Sequence, residues 1–161
     1  MTLKAFSPIP AWISPFSTVP RCQLITLYTH EKRQTLGRMS HHHGQQHWQP
    51  TAWGKAITGT LELMTQHEEP ASIKAFTVMP NHVHIFVLYK KYHAKLPSWF
   101  IGRLKKFLSE QMKRQHAVAG PIWEEEASAQ LVYTETAQYA IVESLREAER
   151  HWKYDPWHTN E

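Results

Sequence analysis

Two histidines separated by one residue, His82 and His84, are the residues in this sequence whose type and spacing most readily do chemistry. They lie in HVHIFVLY (His82–Tyr89), a run whose β-branched and aromatic content predicts a strand. On a strand, positions i and i+2 point to one face, roughly 6–7 Å apart at about 3.3 Å per residue. Two imidazoles so placed can converge on one divalent cation, while Val83, Ile85 and Val87 project to the other face. Taken alone, the same pattern also suits two histidines satisfied by their neighbours in a core.

Other elements must position that strand. CQLITLYT (Cys22–Thr29) reads as an opening strand, and residues 30–50, rich in His and Gln, read as a long loop. Trp53, Ile57, Leu61 and Met64 recur at helical spacing between Thr51 and about Gln66, and Pro70 ends that segment. SIKAFTVM (Ser72–Met79) alternates and is separated from the His strand by Pro80-Asn81, which predicts an antiparallel hairpin. A basic helix follows over 97–116, with Ile101, Leu104, Leu108 and Met112 on one stripe. Gly120-Pro121 then breaks the chain. A short strand near 129–133 and a helix from Glu135 to Trp152 complete the order β-α-β-β-α-β-α. That order is the signature of an α+β domain, an antiparallel sheet with helices packed mainly on one face. Residues 1–20, with four Pro and no period, read as an extended arm, leaving 21–158 as one domain.

The 161 residues hold twelve His and seven Trp but a single cysteine, Cys22. No disulfide framework is possible within the chain, and a reducing, cytoplasmic setting is expected. No run approaches the roughly 20 apolar residues of a spanning helix, so no membrane partner is expected. The net charge of +4 is unevenly spread. Residues 90–120 carry eight bases against one acid, whereas 121–161 carry three against nine. Lys90, Lys91, Lys95, Arg103, Lys105, Lys106, Lys113 and Arg114 are therefore candidate phosphate contacts, and bases could stack on Trp99. The plainer reading of that run is a solvated helix face.

VMPNHVHIFV (Val78–Val87) resembles the signature strand of the HUH single-strand endonucleases. TAWGK (Thr51–Lys55), PIWEEE (Pro121–Glu126) and RHWKYDPWH (Arg150–His158) extend the likeness, in order, from about Leu24 to His158. More narrowly, the chain resembles the single-tyrosine transposases of short insertion sequences and the REP-associated tyrosine transposases. That resemblance implies a ferredoxin-like fold, usually a homodimer, recognising single-stranded or hairpin DNA. It also implies a Mg²⁺ or Mn²⁺ ion held by the two His and a polar residue of the last helix. A tyrosine of that helix would attack phosphorus and leave a 5′-phosphotyrosine link.

The chain departs from this pattern where the nucleophile belongs. The resemblance leads one to expect Tyr-Ile-x-x-Asn-Pro-x-x-Trp; with Trp152 in register, Ser144 stands at the tyrosine position and Ala148 at the polar one. Tyr139 and Glu143 repeat the Tyr-x-x-x-polar spacing five residues earlier. Five residues turn a helix by a net angle of about 140°. Tyr139 is thus expected on the polar face, with Ser144 facing the sheet. A serine nucleophile needs a neighbouring base, and none is legible. The expected function is a transposase-like DNA-binding protein whose cleavage chemistry is lost or altered. The rivals are an active nicking enzyme using Tyr139, with Glu143 beside the His pair, or a tyrosine supplied by a partner, and a structural or regulatory dimer with no nucleic-acid role.

Overall fold

The computed structural model describes residues 4–5, 21–116, 119–148 and 152. Strand β1 (Lys4–Ala5) is short; β2 (Arg21–Tyr28) leads through a single 3₁₀ turn to a hairpin of β3 (Gly37–His42) and β4 (Gln45–Pro50). Helix α1 (Ala52–Met64), strands β5 (Ser72–Val78) and β6 (His82–Tyr89), helix α2 (Leu96–Gln115), strand β7 (Ser128–Val132) and helix α3 (Glu135–Glu147) follow. The main sheet has the order β1-β5-β6-β2-β7, with every adjacent pair antiparallel. Each helical crossover thus leaves a gap that another strand fills, the double split-βαβ arrangement of ferredoxin-like folds.

Alternation along the strands assigns the two faces. Ile25, Leu27, Ile73, Phe76, Val83, Ile85 and Val87 form one apolar layer, which α1 covers with Ile57 and Leu61 and α2 with Phe100, Leu104, Leu108 and Met112. Cys22, Ala75, Phe86, Leu88 and Val132 form the other, which α3 covers through Leu145. Two of the three helices therefore share a face, and the third lies opposite. In α2 the buried residues Leu96, Phe100, Leu104, Leu108 and Met112 recur every four positions, one helical stripe.

Helix α1 begins at a sharp junction. The Thr51 hydroxyl caps it, accepting from the Gly54 amide at 3.2 Å, and donates to the Thr35 carbonyl at 2.7 Å. Gly54 lies so close to Leu36 that a Cβ there would stand 2.0 Å from the Leu36 carbonyl oxygen. In TAWGK the glycine is thus required by close approach of helix and preceding backbone.

The segment expected as a loop over 30–50 is instead largely a hairpin. His43 and Gly44 turn it with φ of 51° and 77°, the two left-handed residues that match the strand twist of a two-residue hairpin. Its strands pair with each other and not with the main sheet, and apart from Gly37 none of their residues is fully buried, so no hydrophobic period marks them. Helix α3 ends at Glu147 rather than Trp152; residues 149–151 lie outside the described residues, as does all of the expected N-terminal arm except Lys4–Ala5.

Candidate functional site

Strand register builds the site. β6 sits between β5 and β2, so His84 is flanked by Thr77 and Thr26, with Ser128 beyond, and His82 stands beside Tyr28. All these side chains share the face that α3 covers. The two imidazoles meet edge to face with ring centroids 4.7 Å apart, and the rings of Trp152 and Tyr28 lie 6.0 and 6.4 Å from His82. His82 is fully buried, and Thr77 and Asn81 are equally enclosed.

A chain of hydrogen bonds sets the orientation of His82. The Asn81 side-chain amide donates to the Lys32 carbonyl at 3.0 Å, which turns its oxygen towards His82 Nδ1, 2.8 Å away. An amide oxygen only accepts, so Nδ1 carries the proton and the neutral ring has its lone pair on Nε2. The Asn81 backbone is held in turn, its carbonyl accepting from the Thr29 amide and hydroxyl, both at 3.0 Å. His84 Nδ1 lies 2.8 Å from the Thr26 hydroxyl, which can donate to the ring or accept from it. Such partners on the far ring nitrogen are what orient imidazoles towards a cation.

The described residues do not complete a site for Mg²⁺. That ion prefers oxygen ligands in octahedral array, whereas two imidazoles and neighbouring hydroxyls suit a softer divalent metal and fall short of its usual ligand number. Among the described residues no group of three or more His, Cys, Asp or Glu side chains comes together. Glu143, expected as a possible third ligand, is exposed and pairs with Arg146 at 2.8 Å.

Helix α3 presents Gln138 and Leu145 inwards, seven residues or about two turns apart. Ser144, expected to face the sheet, is exposed, because the inward position one residue on belongs to Leu145. Tyr139 is half exposed on the outer side. Ala148 is half-buried, and Tyr139 stands about 13 Å from it along the helix axis at 1.5 Å per residue. Among the described residues the phenol beside His82 is that of Tyr28, which also lines an open cavity of about 550 Å³ with Lys32, Ser128 and Glu124–Glu126. Tyr28 and Thr26 become legible only through the β2–β6 register, and Asn81 only through its bond to Lys32.

The basic run lies elsewhere. α2 packs on the sheet face opposite the histidines, so the cations of that helix and the His pair do not share a face of the sheet. Lys91, Lys95, Arg103, Lys106, Lys113 and Arg114 are exposed. Lys90 is ion-paired with Glu68, which raises the lysine pKa and lowers that of the glutamate. Lys105 donates to the Glu124 and Glu125 carbonyls at 2.8 and 2.7 Å and so pins the loop before β7; burial lowers its pKa, against the pull of Glu125 and Glu124.

Over this geometry, solved structures align across most of the chain. A "putative transposase" from Deinococcus radiodurans R1 matches with a TM-score of 0.52 and 15% identity, covering 82% of this chain and 93% of that one. A REP-associated tyrosine transposase bound to a REP hairpin matches with a TM-score of 0.55 and 12% identity, covering 88% and 72%. The chain shares the fold of these two structures. No family profile matches the sequence, and no curated protein matches it. In this fold the His pair sits on the central strand of the sheet. No helix of the described residues is long and apolar enough to cross a membrane.

Proposed function

We propose that this chain is a transposase-like protein that recognises single-stranded or hairpin DNA, with the tyrosine strand-cleavage chemistry of its HUH relatives lost or altered. The observation that carries the reading is α3: it lays Leu145 over the histidine face and turns Ser144 and Tyr139 away from it. DNA recognition is supported by the fold shared with a hairpin-bound transposase and by the six exposed cations of 91–114. Gel-shift titration with a DNA hairpin at several salt concentrations tests it. Affinity is expected to fall steeply with salt, and absent or salt-insensitive binding refutes it.

One specific observation favours a second reading, strand cleavage by a different tyrosine. Tyr28 is the described tyrosine whose ring stands beside His82 and opens onto a cavity. Its Oη would form the bond to phosphorus as the P–O3′ bond breaks, the phenolic proton passing by way of an imidazole to the departing 3′-oxygen. The 5′-phosphotyrosine product is a denaturation-resistant adduct. With Mg²⁺ or Mn²⁺ and labelled hairpin, an adduct lost in Tyr28→Phe supports this reading, and one lost in Tyr139→Phe assigns the chemistry to α3. No adduct leaves the binding-only reading standing. A homodimer, which sedimentation would detect, accompanies either proposal.

A further inference from the structure

Four of the twelve histidines, His41, His42, His43 and His47, lie in the β3–β4 hairpin, a sheet separate from the one that carries His82 and His84. Strand register sorts them. His42 stands opposite Gln45 and Ser40 opposite His47, so these four side chains share one face, while His41 and Gln46 are paired on the other. His42 and His47 are therefore diagonal neighbours across the two strands, and both are exposed. Their ring centroids lie 5.9 Å apart with the planes tilted by 44°. Two imidazoles that ligate one divalent ion at about 2.0–2.1 Å per nitrogen have ring centres about 4.5–6 Å apart. A small rotation of the side chains brings both nitrogens onto such an ion.

Open ring nitrogens set this pair apart. Among the described residues no hydrogen bond reaches the ring of His42 or His47, whereas His41 Nε2 lies 3.3 Å from the Gln46 side-chain nitrogen. The paired strands and the two-residue turn at His43-Gly44 fix the backbone beneath both rings. The face holds one charged side chain, Arg38, which is bonded to Gln49 at 3.4 Å. Imidazole suits borderline first-row ions, and an exposed pair leaves the remaining positions to water. Tetragonal Cu²⁺ or Ni²⁺ accepts that arrangement more readily than Zn²⁺ in its closed four-ligand structural sites, and Cu²⁺ heads the affinity order.

We infer that His42 and His47 form a two-imidazole site for a divalent cation of the Cu²⁺ and Ni²⁺ class, which clamps β3 to β4. A two-stranded hairpin that does not pair with the main sheet has little stability of its own. An ion held only when the strands are paired stabilises the paired form by mass action. The inference rests neither on DNA recognition nor on the His82–His84 pair.

The test titrates the full chain with Cu²⁺, and separately with Ni²⁺, by calorimetry. Paramagnetic broadening of backbone amide signals by Cu²⁺ locates the ion, and amide hydrogen exchange reads the clamp. Wild type is compared with His42→Asn, His47→Asn and the opposite-face control His41→Asn, each first shown to melt as wild type. Wild type is expected to take up one equivalent, with broadening centred on residues 40–47 and slower exchange across the hairpin. His42→Asn and His47→Asn should each weaken binding about 10-fold or more, since losing a group one step removed from a metal already costs about 10–100-fold. His41→Asn should bind within about twofold of wild type, because its ring lies on the other face. Broadening centred on residues 82–84, or no saturable uptake, overturns the inference. Equal weakening by His41→Asn and His47→Asn marks binding spread over a His-rich tract and overturns it too. Hairpin exchange that the bound ion leaves unchanged overturns the clamp.

Discussion

Gly54→Ala and Gly59→Ala make the same chemical change in one helix and should move stability in opposite directions. At Gly54 the added Cβ would lie 2.0 Å from the Leu36 carbonyl oxygen, 3.1 Å from its carbon and 3.3 Å from Pro50 Cβ. The obstacle is backbone, so α1 or the Leu36 peptide has to move by about 1 Å; overpacking of this kind costs about 1–3 kcal/mol. The same carbonyl accepts from the Thr51 amide at 3.0 Å, and loosening that bond adds about 1 kcal/mol. Alanine's better helix propensity returns at most about 1 kcal/mol. The net expectation is a loss of about 1–3 kcal/mol, or a Tm lower by about 2–12 °C for a chain of this size. At Gly59 nothing stands within 4 Å of the added atom, and the site is exposed. Only propensity acts there, giving a gain of about 0.5–1 kcal/mol. Thermal unfolding followed by circular dichroism, with urea midpoints, reads both. A neutral or stabilising Gly54→Ala, or equal shifts for the two variants, would refute the close-approach reasoning. Because the Leu36 amide donates to the Pro80 carbonyl at 3.0 Å, Gly54→Ala should also disturb the turn that carries Asn81 to His82.

Asn81→Ala removes the group that holds the proton on His82 Nδ1, together with the part-buried bond it donates to the Lys32 carbonyl. A loss of about 2–3 kcal/mol in urea unfolding and a mixed His82 tautomer in imidazole ¹⁵N spectra are expected, and an unchanged tautomer would count against the orienting role. Gln138→Leu should stabilise by about 1 kcal/mol or more, since both polar atoms of the buried Gln138 amide lack a partner among the described residues; a lower urea midpoint would contradict this. The Cys22 thiol is pushed up to about 12 by burial, with Lys74 pulling the other way. A raised pKa favours the neutral form in the folded state, so its contribution is complete below about 9 and drains away as pH rises towards 12. Tyr89, buried with its hydroxyl donating to Gln23 at 2.6 Å, is shifted in the same direction and adds to the loss above pH 10. Urea midpoints should therefore fall from pH 9 to pH 11, less steeply in Cys22→Ala, and a flat profile would refute the assignment. Cys22 in native protein should resist thiol reagents at pH 8 until the chain unfolds.

The sequence by itself determined which side the residues of the histidine strand and of the basic helix take. Val83, Ile85 and Val87 are opposed to His82 and His84 by a period of two, and Pro80-Asn81 turns one strand into the next. The apolar steps of 97–116 place Leu104, Leu108 and Met112 inwards, and their complement leaves cations in water. Local sterics and hydrophobic periodicity suffice for that. The hairpin over 37–50 escaped such reading because its strands bury little apart from Gly37 and so carry no apolar period. Ser144 was beyond it too, since neighbouring inward positions on a helix differ by only 100° and Leu145 wins the burial. Only the tertiary structure decided that the basic helix and the histidines lie on opposite faces of the sheet, that Tyr28 stands beside His82, and that Asn81 reaches back to Lys32. These relations join segments tens of residues apart. They are set by strand order and by which helix covers which face, and no local period along the chain records either.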